Sequence, residues 1–69
     1  MKLFFDGPDG IVFVQEVSTL EEAMSIIPTI IVDKIYYYRC WNSELNGDTA
    51  ICIDYGSHNY FFYATGGQI

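Results

Sequence analysis

The chain has 69 residues, 51% of them hydrophobic and 17% aromatic, and nine acids against three bases give a net charge of −6. That much apolar content argues against disorder. Three bases cannot build the basic stripe that neutralises phosphates, so direct nucleic-acid binding and adhesion to anionic membranes are both disfavoured. At 7.9 kDa the chain forms one domain that buries roughly 60% of its unfolded surface, which is a marginal core. A basic partner surface, or plain solubility, accounts for the charge.

The most apolar stretch, Ile26 to Val32, is too short to span a bilayer and contains Pro28. Lys2 followed by Asp6 does not make a signal peptide. Two cysteines, Cys40 and Cys52, do not make a disulfide framework in such a chain, and the expectation is a cytoplasmic protein with reduced thiols.

Lys2–Asp6 and Ile11–Val17 read as a β-hairpin around Gly7, Pro8, Asp9 and Gly10. Pro8 and Asp9 suit the centre of a type I turn, and Gly10 suits the left-handed residue of a bulge. A three-residue loop sets Phe5 opposite Phe13 and Lys2 opposite Glu16. The core face is then expected to hold Leu3, Phe5, Ile11, Phe13 and Val17, with Phe4, Val12 and Val14 on the other face.

Ser18 to Glu21 and Thr19 to Glu22 are two readings of a helix capping box. Leu20, Ala23, Met24 and Ile27 follow at helical spacing, and Pro28 is expected to stop the helix. A helix of about nine residues is not stable alone and must dock on the sheet. Thr29–Val32 is either a buried crossover or the start of the next strand.

That strand is expected from about Lys34 to Trp41, and a last strand from about Tyr60 to Thr65, after a turn at Gly56–Asn59. The order is ββαβββ, an α+β fold in which about five antiparallel strands carry one short helix on one face. Residues 1–65 form the domain, and 66–69 are expected to be a loose tail.

Asn46-Gly47 is the strongest turn signal in the chain. As a two-residue type I′ turn it sets Arg39 opposite Asp54 and Cys40 opposite Ile53. With a three-residue loop and a bulge, Cys40 faces Cys52 and Arg39 faces Ile53. A slip of one residue exchanges whole faces. The first register forms a cross-strand ion pair and is preferred. It collects Tyr36, Tyr38, Cys40, Ile51, Ile53 and Tyr55 on one face and leaves Ile35, Tyr37, Arg39, Trp41, Cys52 and Asp54 on the other, joined by Phe61 and Tyr63. The cysteines then point apart and are not expected to bond.

No constellation with recognisable chemistry emerges. His58 sits beside Ser57, but adjacent side chains rarely make a base–nucleophile pair, and no third group orients them. Cys40, Cys52 and His58 lack zinc-ligand spacing. Glu21 and Glu22 fit the first turn of a helix, where the dipole favours acids. The glycines do not form a phosphate loop. No catalytic residue, metal site or cofactor is expected.

The aromatics stand apart from this background. Nine of the twelve lie between Tyr36 and Tyr63, in runs that put bulk on both faces of a sheet. One helix covers one face. The other, with Tyr37, Arg39, Trp41, Asp54, Phe61 and Tyr63, has the composition of a protein interface. The expected function is that of a small acidic non-enzymatic module that binds another protein or itself as a homodimer. Blocking a host enzyme, a role common among small acidic phage and mobile-element proteins, is one form of it. The alternatives are a self-assembling structural protein and an acidic mimic of nucleic acid.

Overall fold

In the computed structural model, which describes residues 1–69, the elements run β1 (Lys2–Gly7), β2 (Gly10–Glu16), α1 (Leu20–Ile30), β3 (Arg39–Leu45), β4 (Asp48–Asp54) and β5 (Phe61–Thr65). One antiparallel sheet has the order β2-β1-β5-β4-β3. It is the expected ββαβββ arrangement. Two local hairpins form the wings, and the last strand inserts between them, paired on both sides. Phe62 and Ala64 of that strand are therefore fully buried.

The first hairpin differs from expectation. Gly7 pairs with Gly10, so the loop is the two residues Pro8 and Asp9, and Gly10 takes the left-handed conformation at φ +93°. Phe4 pairs with Phe13 and Phe5 with Val12; Leu3 then pairs with Gln15 and Lys2 with Glu16. The extra residue of β2 is thus Val14, as a mid-strand bulge. Its side chain packs against the core. The bulge reverses side-chain parity along β2, so Val17 is buried while Phe13 and Ile11 face away from the core. Phe13 instead meets Phe4 edge to face, with centroids 5.5 Å apart.

Thr19 is the residue that caps the helix. Its Oγ1 accepts the Glu22 N–H at 3.1 Å, and Glu22 Oε1 accepts the Ser18 N–H at 3.1 Å. The helix does not stop at Pro28 but runs two residues further, to Ile30. A proline removes the N–H that would bond the carbonyl four residues back, here that of Met24. The Tyr38 hydroxyl lies 3.5 Å from this oxygen and donates to it across the sheet–helix gap. Beyond the proline, the Ile31 N–H bonds the Ile27 carbonyl at 3.0 Å.

The strand expected from Lys34 begins only at Arg39. Its sole neighbour is β4, which ends at Asp54 opposite Arg39, so residues 34–38 have no strand to pair with. In that segment Ile35 and Tyr38 pack on the core, while Tyr36 is exposed, contrary to the expected positions of Ile35 and Tyr36. The Asn46-Gly47 turn adopts the type I′ geometry, with φ of 52° and 85°. Leu45 pairs with Asp48, Cys40 with Ile53 and Arg39 with Asp54, as the preferred register requires.

The core is one cluster beneath the helix: Leu3, Val17, Ala23, Ile27, Ile51, Ile53, Phe62 and Ala64. Phe62 is its largest side chain and stacks on Phe5 with centroids 4.6 Å apart. The tail at 66–69, expected to be loose, is tied down. Gly67 is buried beside Met1 and Ile51. The Asn42 amide grips the Ile69 backbone twice, accepting its N–H at 2.8 Å and donating to its carbonyl at 2.7 Å.

The two capping readings separate by mutation. Thr19→Ala is expected to cost about 1 kcal/mol in denaturant unfolding, whereas Ser18→Ala leaves the midpoint nearly unchanged, because Ser18 contributes only its backbone N–H.

Candidate protein interface

The helix covers the face that carries Leu3, Phe5, Ile51, Ile53 and Phe62, and strand parity sends the alternate residues to the opposite face. The register there forms three rows that run across the strands. The middle row is Phe13, Phe4, Tyr63, Cys52 and Trp41, one residue from each of the five strands in spatial order. On one side lies a row of small and polar residues, Glu16, Lys2, Thr65, Ala50 and Ser43. On the other side lie Ile11, Asp6 and Phe61, and, on the far pair of strands, Asp54 and Arg39.

No element covers the middle row. Phe13 is 54% exposed and Trp41 is 41% exposed at its two ends, and Phe4 and Tyr63 are half-buried. Trp41 meets Phe61 edge to face, with centroids 6.2 Å apart and planes at 72°; the Phe4 and Phe13 planes cross at 63°. Cys52 is the low point of the row. It is buried by its neighbours. Burial pushes both the Cys52 thiol and the Tyr63 hydroxyl upward in pKa, so both stay protonated at neutral pH.

Asp54 is the one buried acid, and its carboxylate is fully engaged. Oδ1 accepts the Gly56 N–H at 2.8 Å, and Oδ2 accepts Arg39 Nη2 at 2.9 Å and Nε at 3.3 Å. These bonds, the Gly56 amide first and then the Arg39 guanidinium, hold the Asp54 pKa below the usual carboxylate value against the opposing effect of burial. The Asp54–Gly56 bond fixes the turn out of β4. Gly56 takes φ +96°, and a Cβ there would lie 3.6 Å from the Tyr37 ring. Tyr37, half-exposed, thus closes the corner beside Arg39, whose guanidinium lies 6.0 Å from its centroid.

Of the six residues expected at the interface, Arg39, Trp41, Asp54, Phe61 and Tyr63 lie on this uncovered side, Asp54 enclosed and paired with Arg39, while Tyr37 precedes β3 and stands beside Gly56 and the Arg39 guanidinium. Phe4, Phe13 and Ile11 complete the surface and were missed. Phe13 was assigned to the core because the bulge at Val14 has no turn residue to mark it.

The charges are unevenly divided. The uncovered face holds two bases, Lys2 and Arg39, against Asp6, Glu16 and Asp54, a net −1, and the rest of the chain has one base against six acids, a net −5. Within the molecule only Arg39 and Asp54 form an ion pair, so Lys2, Asp6 and Glu16 have none. His58 is exposed, and the Ser57 hydroxyl accepts the N–H groups of Asn59 and Tyr60 within its turn. Cys40 and Cys52 are free and lie on opposite faces of the sheet. An open depression of ≈ 540 Å³ lies beside the small row, lined by Lys2, Glu16, Asp48, Thr49 and Thr65 among others. No helix is long and apolar enough to cross a membrane.

Comparison with protein-family models, with curated proteins and with solved structures finds no match for this chain.

Asp54 gives the face a pH signature. Its pKa is depressed in the fold, so its contribution to stability is complete above the unfolded value of about 3.9 and is lost as pH falls through the folded value. Asp54→Asn is expected to lose roughly 1–3 kcal/mol at neutral pH and to show a shallower decline below pH 4 in urea titrations. An acid limb as steep as that of the wild type would place the linkage in another carboxylate.

Proposed function

We propose that this chain is a non-enzymatic protein-binding module whose working surface is the uncovered sheet face. The observation that carries this reading is the unbroken row of Phe13, Phe4, Tyr63, Cys52 and Trp41 across all five strands, with large rings open to solvent at both ends. Soluble monomers rarely leave so continuous an apolar patch uncovered. Tyr, Trp and Arg are also the residues that dominate binding energy when a partner dehydrates them. The surface is apolar along its middle and carries charged residues, Lys2, Asp6, Glu16 and Arg39, to either side of it, as an interface does.

A mimic of nucleic acid needs its acids in a row spaced like phosphates. Asp9 lies at one end of the sheet, in the β1–β2 turn, and Glu44 and Asp48 flank the turn at the other end, because β1 and β4 run in the same direction. Blocking another protein by covering its surface requires only the aromatic face.

The test is a comparison of two surfaces. Trp41→Ala is expected to weaken association by about 2 kcal/mol or more while circular dichroism stays that of the wild type. Replacement of Glu21 by Ala on the helix, a side chain with no hydrogen bond or ion pair in the fold, leaves affinity unchanged within a few tenths of a kcal/mol. The opposite pattern, with the helix variant impaired and the Trp41 variant intact, would move the working surface to the acidic side.

A further inference from the structure

Resting on that reading, we infer that the occupant of the aromatic face is a second copy of this chain, related by a two-fold axis that runs along the Phe13–Phe4–Tyr63–Cys52–Trp41 row. Three features of the face point to this partner and this axis.

The first is charge. The face carries only −1 of the chain's −6, so a strongly basic partner would be drawn to the helix side and the hairpin ends. Two copies of an acidic chain meet with least repulsion through the surface where charge is nearly balanced.

The second is the placement of the unpaired charges. Lys2 and Asp6 are two residues to either side of Phe4 on β1, face the same way, and have no ion pair within the molecule. A two-fold axis along the row superposes the strand positions on either side of it. Lys2 of each copy then stands over Asp6 of the other, and the pair forms twice.

The third is bulk. The row beyond the axis on one side carries Thr65, Ala50 and Ser43, beside the open depression; the row on the other side carries Ile11, Phe61 and Arg39. The same axis sets the bulky row of each copy over the small row of the other, with Phe61 over Thr65 and Arg39 over Ser43. Along the axis itself each residue of the middle row meets its own copy; the competing axis, along the strands, sets Asp6 over Asp54, which is acid on acid. Strands related by the row axis remain aligned, as in face-to-face sheets about 10 Å apart. Five strands of this length present on the order of 500–800 Å² per copy, which approaches a standard interface.

The experiment is sedimentation equilibrium of the full chain from about 1 to 500 μM, with circular dichroism to verify folding. The wild type is expected to reach twice 7.9 kDa. Lys2→Asp and Asp6→Lys are each expected to weaken the dimer on the order of tenfold, since each reverses a pair that occurs twice. Asp6→Lys does so even though it lowers the net charge to −4 and so reduces general repulsion. The double exchange, K2D with D6K, restores the net charge and the pairs, and is expected to return the affinity to within about threefold of the wild type. A wild type monomeric at 500 μM overturns the self-association but leaves hetero-binding through the face intact. A double variant no tighter than the singles overturns the axis. Dimerisation indifferent to Trp41→Ala overturns the face itself and the functional reading with it.

Discussion

A single eleven-residue helix has to serve a sheet that is apolar on both sides, and the rest of the structure follows from that constraint. The helix covers Leu3, Ile51, Ile53, Phe62 and Ala64, and these supply the core of the domain. Strand alternation then leaves Phe4, Tyr63, Cys52 and Trp41 on the far side with nothing above them. The total accessible surface of 4381 Å² is what a compact monomer of this mass has, about 4,400 Å². The fold is therefore complete as a monomer in area. What is unusual is the chemistry of the uncovered face, where Phe13, Phe4, Tyr63 and Trp41 form one row.

The wings of the sheet are held differently. The β3–β4 hairpin is specified twice, by the left-handed pair Asn46-Gly47 at its turn and by Arg39–Asp54 at its open end. A slip of one residue would break the ion pair and turn Ile51 and Ile53 away from the helix. The β1–β2 hairpin has a glycine at its turn and a bulge in its middle. The bulge keeps both Val17 in the core and Phe13 on the outer face, which a regular strand could not do, because the two are four residues apart. It also interrupts the ladder on an edge strand, which makes that edge a poor template for further strands. Association through the face, and not through the edge, suits both features.

Much of this was legible in the residues. The order of elements, the capping box and the register of the second hairpin each rest on local signals: Thr19 with Glu22, Asn46 with Gly47, and apolar alternation. The shared face of Arg39, Trp41, Cys52 and Asp54 followed from parity once that register was chosen. What was not legible depended on distant partners. The start of β3 is set by where β4 ends, at Asp54, and no property of Lys34 to Tyr38 reveals it. The helix passes Pro28, and the carbonyl of Met24 that this orphans has the Tyr38 hydroxyl 3.5 Å away, a partner fourteen residues off in sequence. The bulge at Val14 has no glycine to mark it, which is why Phe13 and Ile11 were placed on the wrong face. The tail is held by Asn42, whose side chain substitutes for a backbone pair.

The central claim is that the aromatic face is open in the isolated chain and covered when the protein associates. Trp41 is the only tryptophan and stands on that face, so its fluorescence reports the claim directly. In dilute solution its emission should be red-shifted and readily quenched by acrylamide. Over the concentration range in which the mass doubles, or on addition of a bound partner, the emission should shift to the blue and quenching should fall. Unchanged emission and quenching across a proven association would show that another surface makes the contact.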